Sequence, residues 1–251
     1  MSTAIPPLPS EAVATPPLSE PQRIINTFVA PSKTFADLRR KPGWWAPWLL
    51  VALFATGFNY TVDKKVGFDT IMSNAMEHMP QFIQQAMQSM TPEQRQASAN
   101  RQRFTSVYLA WLTYLIIGLI AAALFMLAFN FLLEAGIPYK NALSVYFYAM
   151  LPKIFYFVLA IIVLYKGVDP AGFNLENPVT TNVAAFMDRW NTNKFLYTFL
   201  SFIDVFTIWT ATLLAMGFVR QSAKKISTGA AVATVAGVYF LGILIRAVLP
   251  F

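Results

Sequence analysis

Val107–Leu133 reads VYLAWLTYLIIGLIAAALFMLAFNFLL, a run with no charged residue anywhere along it. About 20 apolar residues, wound at ~1.5 Å per residue, cross the hydrocarbon core of a bilayer as a helix. This stretch is therefore long enough to span and to tilt. Four more runs of the same kind flank it: Trp44–Tyr60, Ala142–Tyr165, Leu196–Val219 and Ala230–Leu249. The backbone of a lipid-exposed segment must close its hydrogen bonds internally, which leaves helices as the spanning element here. The pattern predicts an all-α integral membrane protein, a bundle of five transmembrane helices at about 44–60, 107–133, 142–165, 196–219 and 230–249.

Composition supports the same class. Apolar residues make up 56% of the 251-residue chain and charged residues only 12%, about half the share in soluble proteins. The net charge of +7 suits contact with anionic lipid. The basic residues lie beside apolar runs rather than on a soluble face, which argues against nucleic acid. Cysteine is absent and His78 is the single histidine. Thiolate chemistry, disulfides and His- or Cys-based metal sites are thereby excluded, and no cofactor or metal is expected. There is no glycine-rich phosphate loop, no HExxH and no nucleophile elbow. The shortage of catalytic residue types points away from an enzyme.

Residues 1–22 hold six prolines and nothing that could form a core, so a disordered tail is expected. No charged start followed by an apolar stretch marks a cleavable signal, so the first span should act as an uncleaved anchor. Residues 23–43 differ. Ile24, Ile25, Phe28 and Val29 share one helical face, Pro31 interrupts, and Ser32 is placed to cap a second short helix carrying Phe35 and Leu38. With Lys33, Arg39, Arg40 and Lys41 on the other face, this segment reads as an amphipathic helix lying in the membrane interface. Trp44, Trp45 and Trp48 follow as anchors at headgroup level.

Between the first two spans, Phe68, Ile71, Met72, Ala75, Met76, Met79, Phe82, Ile83, Met87 and Met90 recur at helical spacing. Thr91-Pro92-Glu93-Gln94 carries a helix start with a capping box. An extramembrane helical hairpin, broken at Pro80, is expected. Its methionines could form an adaptable binding surface or pack against the partner helix or the headgroups. Glu134–Asn141 is a tight turn on Gly136 and Pro138, and 166–194 is a polar connection rich in Gly, Pro and Asn.

The basic loop Arg220, Lys224, Lys225 contains no acid, and Arg39, Arg40 and Lys41 precede the first span. Five spans put both segments on one side, which is cytoplasmic by the positive-inside rule, leaving the C-terminus outside. Arg101 and Arg103 on the opposite side run against that rule. Gly229, Ala233 and Gly237 fall four apart in the fifth span, as do Gly118 and Ala122 in the second. Small residues at this spacing permit close helix approach, either within the chain or in a homo-oligomer.

Three charges lie inside spans. Arg246 is near a membrane surface and can snorkel. Lys153 is ~18 Å and Asp204 ~12 Å from the outer surface at helical rise, a difference a lysine side chain can cover. An Asp204–Lys153 pair is allowed, and an unpaired charge at that depth would cost roughly 2.5–3.5 kcal/mol. Pro152 beside Lys153 should kink the third span and strip a carbonyl near Tyr148 of its donor. Three readings are open: a structural ion pair fixing register, a site for a lipid headgroup or small anion, or a transport pathway.

The segments Phe28-Val29-Ala30-Pro31-Ser32-Lys33-Thr34-Phe35, Lys41-Pro42-Gly43-Trp44-Trp45-Ala46-Pro47, Tyr139-Lys140-Asn141-Ala142-Leu143 with Met150-Leu151-Pro152, and Ile208-Trp209-Thr210 through Met216-Gly217-Phe218 together resemble bacterial-type members of the Ypt-interacting protein (Yip) family. The resemblance runs from Arg23 to the C-terminus. It implies a multi-pass helical domain with a cytoplasmic N-terminus, in a bacterial inner membrane. Eukaryotic relatives act in trafficking with Ypt/Rab GTPases; the DLYGP-type and GYG-type segments of those relatives are not recognisable here, which argues against a GTPase partner. The combined expectation is a non-enzymatic scaffold or adaptor organising lipid or other membrane proteins. A small-solute or ion transporter using Lys153 and Asp204 is the alternative.

Overall fold

A computed structural model describes residues 16–76, 81–167, 169–170, 173–175, 177–189 and 191–248. The tail up to residue 15, the single His78, the expected break at Pro80 with Met79, and the last three residues lie outside the described residues. Among those described the chain is helical, with one isolated bridge between Asn182 and Asp204 as its extended pairing.

The helices are α1 (Glu20–Val29), α2 (Pro31–Arg40), α3 (Trp45–Lys65), α4 (Phe68–Met76), α5 (Gln81–Gln88), α6 (Pro92–Tyr108), α7 (Ala110–Leu133), α8 (Tyr139–Ala149), α9 (Lys153–Lys166), α10 (Lys194–Phe202), α11 (Val205–Gln221) and α12 (Thr228–Val248). A 3-10 turn at Val183–Phe186 lies in the connection before α10. Three of the helical segments are long and apolar enough to cross a membrane: α7, the α8–α9 pair and α12.

The bundle is arranged around α8. All nine residues Asn141–Ala149 are buried, on every face of the helix, because α7, α11, α2 and α3 surround it. Gly118 of α7 makes this possible. The ring of Phe147 lies where a Cβ on residue 118 would stand, with Cζ 2.3 Å from that position. Ala122, one turn on, is fully buried. Of the two uses its spacing allows, this small-residue pair serves the one inside the bundle. α3 packs chiefly on α9 and α7, and α11 on α12, α2 and α8. Stacked rings of Phe129 and Phe218, 4.5 Å apart, join α7 to α11, and Phe125 extends that contact to Tyr239 of α12.

Two expected spans are discontinuous. The third breaks at Met150–Pro152, and the carbonyl of Tyr148 is not left bare. It accepts from the Leu151 N–H at 3.2 Å, and 3-10 bonds from Lys153, Ile154 and Phe155 carry the chain into α9. The fourth breaks at Ile203–Asp204, with Asp204 in extended conformation.

The amphipathic segment also differs from its expected form. Helix starts at Glu20 rather than at residue 23, with Ser19 and Gln22 forming a capping box. Ser32 does not cap α2, because Pro31 already occupies the first helical position and Ala30 the cap. The two helices fold back as a hairpin whose inner face is covered by protein, with Phe35 and Leu38 fully buried. Phe28 sits 5.4 Å from the ring of Phe155 and 5.8 Å from that of Trp209, well inside α9 and α11. Ile25 and Val29, also on the expected apolar face, stay exposed. Of the three tryptophans, Trp45 alone points outward. Trp44 stacks on Phe147, and Trp48 packs edge-on to Trp111.

α4, α5 and α6 occupy the connection between α3 and α7. The Thr91 capping box forms as read, with Pro92 at the first position. No residue described in α5 is buried, so its share of the methionine stripe has no internal partner helix.

Candidate functional site

Extended backbone at Asp204 turns its carboxylate back onto the start of α11. Asp204 Oδ1 accepts from the Thr207 N–H at 2.9 Å and the Thr207 hydroxyl at 3.2 Å, the arrangement of an N-cap. Its other oxygen accepts from the Thr181 hydroxyl at 2.6 Å. Thr181 and Asn182 come from the polar connection, which folds inward and pairs with the break: Val183 N donates to Ile203 O, and Val205 N to Thr181 O. The acid is thus fully engaged without any lysine.

Lys153 is brought to it all the same. Its Nζ stands 4.0 Å from Asp204 Oδ1, donates to Thr207 Oγ1 at 3.3 Å, and lies 5.3 Å from the centre of the Tyr156 ring. The pairing drawn from the sequence is present, but the contact is loose. A cavity of about 300 Å³ opens beside it, lined by Lys153, Asp204, Arg246, Asn177, Asn182 and the rings of Tyr146, Tyr156, Tyr197 and Tyr239. That volume is at the lower end of the range for small-molecule sites. Both helix breaks border the cavity, and that is why polar side chains converge at this depth.

A second polar centre was not read from the sequence. Arg23, 2% exposed, lies between α1 and α2. Its Nε donates to Asp37 Oδ2 at 2.8 Å and its Nη2 stands 2.7 Å from the same oxygen. Nη1 reaches Glu20 at 2.9 Å, and Nη2 also donates to Lys41 O at 2.9 Å. The hydroxyls of Thr27 and Thr34 both donate to Arg23 O, and the Tyr148 hydroxyl donates to Glu20 at 2.5 Å. Burial alone would raise the Asp37 carboxyl, but hydrogen bonds from Arg23, the Leu18 N–H and Arg40 outweigh it and hold the group below the usual carboxylate range. Arg23 and Asp37 are 14 residues apart, and only the Pro31 turn brings them together. The S-x-x-Q of Ser19–Gln22 was the one legible signal that helix began this early.

A clamp fastens the other end of α2. Asn141 Nδ2 donates to Gln221 Oε1 at 2.9 Å and Gln221 Nε2 to Phe35 O at 2.7 Å. Gly217 lets α2 and α8 close on α11. A Cβ there would stand 2.5 Å from Val145 Cγ1 and 3.0 Å from the Phe35 ring.

The remaining sequence-derived residues separate. Arg39 and Lys41 are exposed, and Arg40 bonds Asp37 at 3.0 Å. Lys224 pairs with Glu134 across the two loops at the same end as the clamp, where Ala223 N also donates to Ala135 O. Lys225 and Arg220 are exposed. Gly229, Ala233 and Gly237 face outward, and nothing lies within 4 Å of a Cβ built on either glycine. The buried side of α12 is formed by Ala231, Thr234, Val235 and Ile243 instead. Arg103, which runs against the positive-inside rule, has an acidic partner. It bonds the buried Asp63 carboxylate at 2.8 Å.

Helices long enough to cross a bilayer, surrounding one buried half-helix and a polar cavity at two helix breaks, define a polytopic membrane protein. A family model, the Yip1 domain, matches residues 25–249. The chain belongs to the Yip1 domain family. No curated protein and no solved structure matches it.

Proposed function

We propose that this protein is a non-enzymatic, five-span membrane scaffold that organises lipid or partner proteins. The reading has α3 and the α10–α11 pair cross beside α7, α8–α9 and α12. Their packing along those three helices supports this, since α3 runs against α7 and α9, and α11 against α8 and α12. The N-terminus is then cytoplasmic and the end of α12 outside, in a bacterial inner membrane. The observation carrying the scaffold reading is the commitment of buried polar groups to holding helices together. Arg23, Asp37, Asn141, Gln221 and Asp204 all close their hydrogen bonds on backbone and neighbours. Membrane trafficking is the family analogy for such a role. Extraction in native nanodiscs, with lipid and protein content compared against the bulk membrane, tests it. Enrichment of a lipid class or a defined membrane partner is expected, and bulk composition would sink the idea.

The cavity at Lys153 favours a second reading, a small-solute or ion transporter. Discontinuous helices around a charge are a recurring transport arrangement. Flux into proteoliposomes separates the two: unchanged flux in Lys153→Met removes that lysine from any pathway.

A further inference from the structure

Further along α11 from the Lys153 cavity, a furrow of about 420 Å³ runs between α11 and α12. It exists because facing positions carry small side chains, Ala211 and Ala215 on one helix and Ala236 on the other. Ala215 and Val235 form its buried floor, while Ile208 and Val232 stand exposed on its walls. Along the α11 wall, Ile208 to Arg220 covers ~18 Å at helical rise, against ~15 Å for one leaflet's hydrocarbon. The furrow is apolar for most of that length and changes character at one end. There it meets Arg220, Thr228 at the start of α12, and the Ser32 hydroxyl left over from its expected cap role. Arg220 is exposed and has no carboxylate partner among the described residues, and the loop that follows it contains no acid.

We infer that this furrow is a binding site for one anionic phospholipid. An acyl chain lies between α11 and α12, and the phosphate meets the Arg220 guanidinium, with Ser32 and the N-terminal end of α12 within the same mouth. The charge is the reason for choosing lipid over a second protein helix. An apolar slot one leaflet deep, ending in an uncompensated arginine at headgroup level, matches an amphiphile with an anionic head. The first-turn N–H groups of a helix add to that preference only in company with the arginine.

The inference deepens the lipid-organising reading but is tested apart from it. Full-length protein is delipidated in detergent and offered dioleoyl phosphatidylglycerol or dioleoyl phosphatidylcholine, and retained lipid is counted by native mass spectrometry. The parent should retain one phosphatidylglycerol with roughly tenfold preference, the scale of one charge-assisted hydrogen bond. Arg220→Gln should remove the preference by cutting phosphatidylglycerol retention about tenfold, with a much smaller loss for phosphatidylcholine, whose choline cation offsets the same phosphate. Ala236→Phe, on an exposed position and with a monodisperse elution profile as control, should abolish retention of both, and Thr212→Phe should repeat it from the opposite wall. Equal retention by parent and all variants, no preference in the parent, or parallel loss of both lipids in Arg220→Gln would each overturn the site. If the scaffold reading fails instead, nanodisc-extracted parent shows no enrichment at all, whatever the furrow does in detergent.

Discussion

Replacing Asp37 by Asn tests the buried network that holds the N-terminal hairpin. The wild-type guanidinium of Arg23 has two contacts to Asp37, at 2.7 and 2.8 Å, both side chains being about 97–98% buried. Asn keeps the shape but removes the charge, leaving Arg23 with the partly exposed Glu20 and one backbone carbonyl. Weakening a charge-assisted contact in this way costs roughly 1.5–3 kcal/mol. The chain has no cysteine, so a single Leu38→Cys, at a fully buried position, reports hairpin opening through maleimide labelling. If opening is fast relative to labelling, the rate should rise by about one to two orders of magnitude at 1.36 kcal/mol per tenfold. The pair Arg23→Met with Asp37→Leu removes both charges and should recover most of that loss. Labelling of Asp37→Asn within a few-fold of the parent would refute the reasoning, as would a double variant as labile as the sum of its singles.

The same reporter should respond to pH. The Asp37 carboxyl lies below its ordinary 3.8 in the folded protein, so its stabilisation is complete above the unfolded value and is lost as pH falls through the folded one. Labelling, divided at each pH by the rate of a free thiol to remove the thiolate's own titration, should show more opening below about pH 4 in the parent and none in the double variant. Gly217→Ala and Gly118→Ala should each destabilise by about 1–3 kcal/mol through overpacking, whereas Gly237→Ala should be near neutral, as melting in detergent would reveal. Asp204→Ala should lower the melting point more than Lys153→Met, because it removes an α11 cap worth about 1 kcal/mol together with the bond from Thr181. For orientation, Ala223→Cys should resist an impermeant reagent applied outside and Gln96→Cys should react; the reverse inverts the topology. Ser222 is unsuitable for that purpose, being buried with its hydroxyl on Ala135 O.

Membrane class, helical content, the Thr91 cap, the Gly118–Ala122 contact and the Lys153–Asp204 approach were all legible in the chain. They depend on local periodicity, a cap motif, or the depth of a charge along a helix, quantities that one-dimensional spacing measures directly. The methionine stripe and the Gly229–Gly237 stripe were legible as patterns but not as contacts, since a face has no partner until neighbouring helices are placed.

What the sequence determined by itself was therefore which segments are helical and apolar enough for lipid, and which charges would need company there. The tertiary structure decided where polar groups find their partners. It broke the expected fourth span at Ile203–Asp204 and folded Thr181 and Asn182 inward to meet Asp204. It also turned an expected surface helix into a hairpin locked by Arg23, Asp37, Asn141 and Gln221. The physical reason is that burying an unpaired polar group is costly at any depth. Its partner can come from any segment the fold brings within about 3 Å, and distance along the chain does not record that.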